Sequence, residues 1–157
     1  MSNWKEKISL RNLSSANIAA LCWCGTILAG NITVVACNKV NFETLPGNCA
    51  ASAVLFLIQL VTAVILGECY DKTGSSLHRK TLIALGVLHG ILMLGDMSLL
   101  LSLNDISLWS CFILSIVLFW VTGIYLMLLQ KRWQGIVVAL FSLIAWIQPV
   151  IFFVVQQ

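Results

Sequence analysis

The sequence predicts an all-α integral membrane protein: a bundle of about five transmembrane helices, N-terminus cytoplasmic and C-terminus outside. Three observations carry that prediction: an apolar composition, five apolar stretches of spanning length, and basic residues confined to one side. The chain has 157 residues, 60% hydrophobic and 10% charged, with a mean hydropathy of +0.98. A soluble domain carries about 25% charged residues, so this chain lacks the polar surface that keeps a globule in water. The net charge is only +3. No basic cluster is dense enough for nucleic acid, and there is no Gly-rich phosphate loop, low-complexity tail or internal repeat. Residues 1–157 read as a single polytopic domain.

Residues 1–15 come first, a cytoplasmic or interfacial segment. Trp4, Ile8 and Leu13 are mixed there with Lys5, Lys7 and Arg11, the pattern of a short helix lying on the inner surface or of a frayed polar leader. A membrane helix needs roughly 20 apolar residues to cross about 30 Å of hydrocarbon. The stretches that qualify are 16–37, 49–67, 81–103, 107–129 and 135–155. The first is the least apolar, broken by Asn17, Thr26, Asn31 and Thr33, and its core is too long for a cleaved signal. The third and fourth are joined by Asn104, Asp105 and Ile106 alone, which makes them a tight hairpin. Pro149 predicts a kink in the last span, since it frees the carbonyl of Ala145 and disfavours αR at Gln148.

Charge then orients the spans. Lys5, Lys7, Arg11, Lys72, Arg79, Lys80, Lys131 and Arg132 fall on one side of a five-span thread, and Lys39 alone on the other. Short loops rich in Lys and Arg stay cytoplasmic. Trp109 and Trp133 fall at interfaces, as an aromatic belt requires. The expected home is a bacterial plasma (inner) membrane; the endoplasmic reticulum obeys the same charge rule.

Six cysteines are present, with no C-x-x-C pair and no zinc spacing. Cys22 and Cys24 point about 200° apart on a helix and cannot form one ligand set; packing is their expected role. Cys37 and Cys49 bracket the first outer loop, a possible disulfide if the outside is oxidising. Cys111 is a second partner at that level, and Cys69 is expected to be cytoplasmic and reduced. No metal or cofactor is expected.

Polar residues inside the spans are the candidate site. On the third span His89, Met93 and Asp96 fall within about 60° of one another, and Gly86 and Gly90 adjoin them. This small, polar face is expected to point into protein, with Gly86, Gly90 and Met93 as its packing surface. Helix rise places Asp96 and Asn31 roughly 7 Å toward the outside of the midplane and Gln148 about 4–5 Å; His89 and Gln59 lie within about 4 Å of it. Two polar layers follow: Asp96 with Asn31 and Gln148, and His89 with Gln59.

Intramembrane ionisable groups either glue helices or carry protons and cations. One acid and one histidine make a sparse path, so the expected function is non-catalytic: an accessory or assembly subunit, or an immunity-type protector. Such a protein works through lateral contacts with the lipid bilayer around it and another membrane protein, or its own copy, beside it. The alternative is a homo-oligomeric proton- or cation-linked transporter or channel subunit using Asp96 and His89. Enzyme activity is not expected, because catalysis needs a nucleophile or metal held beside a base.

Overall fold

A computed structural model describes residues 14–36, 45–102 and 105–146, with side chains for 14–29, 53–95, 110 and 112–146. These residues are all-α. They form five helices: α1 (Ser15–Ala36), α2 (Leu45–Lys72), α3 (Ser76–Ser102), α4 (Asp105–Leu128) and α5 (Arg132–Ala145). Two stretches, Ala53–Lys72 in α2 and Ser76–Gly95 in α3, are long and apolar enough to cross a membrane. The described apolar stretches of the other helices, Ser15–Ala29, Phe112–Leu128 and Arg132–Ala145, are shorter. Pro149, Gln148 and Cys37 lie outside the described residues.

Helices α2 and α3 overrun their apolar stretches, so the expected 13-residue connection contracts to Thr73, Gly74 and Ser75. Hydropathy ends where polar residues begin, but helical hydrogen bonding does not. Glu68 and Lys72 continue α2 as an i,i+4 pair at 3.5 Å, the order that supports a helix. The Thr73 hydroxyl then closes back on the Cys69 carbonyl at 2.6 Å, and Arg79 Nε donates to the Thr73 carbonyl at 2.8 Å.

The α4–α5 turn has a defined geometry. Gln130 N–H bonds Met127 O and Lys131 N–H bonds Leu126 O, both at 3.0 Å, the two bonds of a Schellman cap. The cap places Gln130 at φ 61°, a left-handed conformation that glycine usually supplies.

Helix α2 packs against α1, α3 and α5, while α4 packs between α3 and α5; α1 leans on the α2–α3 hairpin. The core stripes follow helical spacing. In α4 they are Phe112, Ser115, Phe119, Thr122 and Leu126; in α5, Gly135, Val138, Ser142 and Ala145.

Two glycine contacts set the closest approaches. A Cβ on Gly123 would sit 2.7 Å from Gly135 O, and one on Gly135 only 2.5 Å from Gly123 O, so α4 and α5 meet backbone to backbone. A Cβ on Gly67 would lie 2.6 Å from Ala16 Cα, which brings the start of α1 onto the end of α2. That start is capped across the chain. Asp71 Oδ2 accepts from Ser15 N–H at 3.0 Å and Asp71 Oδ1 from the Ser15 hydroxyl, supplying the acceptor that a first-turn N–H otherwise lacks.

Gly123→Ala is therefore expected to cost about 1–3 kcal/mol by overpacking. Gly90→Ala, whose Cβ meets nothing within 4 Å, should gain about 0.5–1 kcal/mol from helix propensity; denaturant titration by circular dichroism distinguishes them. Asp71→Ala should cost about 1 kcal/mol, the usual loss of an N-terminal cap, with faster alkylation of Cys22 on α1 as α1 loosens.

Candidate functional site

The bundle keeps an apolar core, built on Leu55, Leu82, Phe119 and Leu126, and is apolar on its outer surface as well. Among the described residues, Gln59, Thr62, His89, Ser115, Thr122 and Ser142 are buried, while large apolar side chains on every helix face outward. Leu57, Ile91, Ile113 and Leu143 are each more than half exposed.

The centre of this interior is His89. Its Nε2 lies 3.1 Å from the Thr122 hydroxyl oxygen, and its ring packs 5.0 Å from that of Phe119 at a 52° tilt. Phe119 in turn meets Phe141 edge-on at 6.2 Å. One polar bond is thus walled by aromatic carbon. Two other hydroxyls are absorbed by their own helices: Thr62 donates to Ile58 O at 2.7 Å and Ser142 to Ala139 O at 2.6 Å.

Gln59 is fully buried, yet neither Oε1 nor Nε2 has a hydrogen-bond partner, and neither does His89 Nδ1. The two residues share a depth. Each lies fifteen residues from Gly74, about 20 Å along packed antiparallel helices at ~1.5 Å per residue. Their chemistry is complementary in either imidazole tautomer. When Nε2–H donates to Thr122, the bare Nδ1 accepts; when the Thr122 hydroxyl donates to Nε2, Nδ1–H donates. A primary amide offers both halves.

The expected central layer of His89 with Gln59 is therefore differently wired. The bond of His89 goes to Thr122, a residue that the sequence analysis did not single out. Thr122 lies seven residues after Ser115 on one face of α4, and that spacing was the available signal. Met93 is buried against Trp23 and Ala63. Gly86 and Gly90 line an open groove beside α1; Gly86 meets only Leu66 Cδ1, at 3.9 Å, and Gly90 nothing within 4 Å. Asp96 and Asn31 fall within α3 and α1, but their side chains are outside the described residues, as are those of Cys49 and Cys111. The proposed Cys37–Cys49 pairing lies outside them too. Cys22, Cys24 and Cys69 are free thiols.

A second polar contact closes the end of the bundle that holds both described turns. His78 Nδ1, near the start of α3, lies 2.9 Å from the Tyr125 hydroxyl near the end of α4. No set of three His, Cys, Asp or Glu side chains converges as a metal site among the described residues. Comparison with family models, curated proteins and solved structures finds no match to this chain.

Thr122→Val should cost about 1 kcal/mol, because it strips His89 of its bond. Gln59→Leu should be neutral or stabilising, since an unpaired buried amide itself costs about 1–3 kcal/mol. Unfolding titrations of both variants test the wiring; a loss at Gln59 equal to that at Thr122 would mean the amide is bonded in the folded protein.

Proposed function

We propose that this chain is a small integral membrane protein whose five helices all cross the bilayer, N-terminus cytoplasmic and C-terminus outside. It acts without catalysis, through lateral helix–helix contacts, as an accessory or assembly subunit or an immunity-type protector. The proposed site is a bacterial plasma membrane.

The observation that carries this reading is the apolar outer surface of the bundle. In water, exposing Leu57, Ile91, Ile113 and Leu143 would be unfavourable. In hydrocarbon the same surface carries no such cost, and His89 finds in Thr122 a partner that lipid would not supply. Charge supports the threading. Lys72, Arg79, Lys80, Lys131 and Arg132 flank the two turns that the His78–Tyr125 contact ties to one end of the bundle, and the positive-inside rule makes that end cytoplasmic. The lateral role is supported by outer faces that are apolar and by the interior hydroxyls of Thr62, Ser142 and Thr122, which are spent on helix carbonyls or on His89.

A second reading, a homo-oligomeric proton- or cation-linked transporter or channel subunit, is favoured by one observation: the unpartnered Gln59 amide and His89 Nδ1. In that reading Asp96, seven residues along α3 from His89, supplies the titrating group.

Alkaline phosphatase fused at the C-terminus should be active, and fused after Ser75 inactive. Isolation in mild detergent at native expression, with the particle's native mass, should yield a stoichiometric second membrane protein. A homo-oligomer with no partner would overturn the accessory reading. Proteoliposome flux lost on Asp96→Asn would establish the transporter, and full flux in that variant would exclude it.

A further inference from the structure

A groove of about 480 Å³ runs between α1 and the α2–α3 hairpin, starting at Ser15 and Tyr70 and ending near Thr26 and Gly90. We propose that it seats one acyl chain of an anionic phospholipid from the cytoplasmic leaflet, with the headgroup held by Arg79 and Lys80. This rests on the five-span reading above, which makes the Thr73–Ser75 turn the cytoplasmic end.

Length and depth argue for a chain of one leaflet. From Ser15 to Thr26 the groove follows eleven residues of α1, about 16 Å at ~1.5 Å per residue. Half of a ~30 Å hydrocarbon core is about 15 Å. The groove therefore begins at the charged end of the bundle and stops near mid-depth, where the tail of an inner-leaflet lipid stops.

The rim of the groove carries Ile18, Ile83 and Val87, all exposed, and the slot is open on that side. Its floor is bare where Gly90 meets nothing within 4 Å. An apolar slot left unfilled forfeits the dispersion contacts of its walls, and a flexible alkyl chain restores them.

Charge fixes the headgroup end. Tyr70 lines the groove, and the Arg79 guanidinium lies over its ring, 5.3 Å from the centroid. The bond from Nε to the Thr73 carbonyl holds that guanidinium in place and uses one of its five N–H donors; a phosphate takes two more. Lys80 follows in sequence and is exposed. Among the described residues, the carboxylates at this end are engaged elsewhere, Asp71 with Ser15 and Glu68 with Lys72.

The test reconstitutes the full chain into vesicles of phosphatidylcholine and phosphatidylglycerol, extracts it mildly and counts retained lipid by native mass spectrometry. One phosphatidylglycerol per chain is expected, favoured about thirtyfold over phosphatidylcholine by two cationic groups. The double variant Gly86→Leu, Gly90→Leu should lose it; a Cβ added at either position meets at most the Leu66 tip at 3.9 Å, and helicity confirms folding. Arg79→Gln, a surface change, should keep a lipid but lose the headgroup preference. Retention by the filled-groove variant equal to the native chain, or an unaltered preference in Arg79→Gln, overturns the proposal. Native chain that floats with the vesicles yet retains no lipid overturns this inference alone. Chain that never enters the vesicles overturns the membrane reading beneath it.

Discussion

Helices that are apolar on nearly every side have no hydrophobic face to tell them how to meet. Burial of nonpolar area, which orients helices in water, gives little preference here, because turning any one helix exchanges one apolar surface for another. What remains is shape. The contact between Gly123 and Gly135 lets two backbones touch, each carbonyl lying where the other's Cβ would be. Van der Waals packing at such small-residue crossings is the main source of helix affinity in lipid. The αL cap at Gln130 delivers α5 to that crossing only a few residues after α4 ends.

The polar layer depends on this crossing. Thr122 is the neighbour of Gly123, so once Gly123 meets α5, Thr122 is turned toward α3 and its hydroxyl comes within 3.1 Å of His89. The aromatic rings of Phe119 and Phe141 then close around the bond. Inside a low-dielectric bundle a bond of this kind gains weight, and so does any polar atom left without one. The Gln59 amide is such a group. Fully buried at the depth of His89, it is a cost that the packing around it offsets.

At the opposite extreme, the end with the short turns is held by polar contacts that do not need hydrocarbon. Asp71 caps α1, Glu68 pairs with Lys72, Arg79 binds the Thr73 carbonyl, and His78 meets Tyr125. These contacts join four of the five helix ends gathered there, and α5 follows α4 directly through the turn at Gln130. Directional bonds and the close glycine approaches thus both gather toward that end of the bundle, while α1 stands partly off α3 and leaves the groove between them.

Existence, type and order of the helices were legible from the sequence, because long apolar runs bounded by polar residues are a local property. The distribution of charge about the turns was legible for the same reason. Helix ends were less so: α2 and α3 continue through Glu68, Lys72, Arg79 and Lys80, since propensity and i,i+4 pairing extend a helix beyond its apolar run. Pairing was decided by the tertiary structure alone. The Gly86–Gly90 spacing marks where another surface can come close, but the chain makes its own close approaches at Gly67, Gly123 and Gly135. His89 could be assigned to a buried face by periodicity, yet its choice of Thr122 depends on how α3 and α4 cross. Periodicity places a side chain on one side of its own helix; only the crossing of two helices decides which side chain it meets.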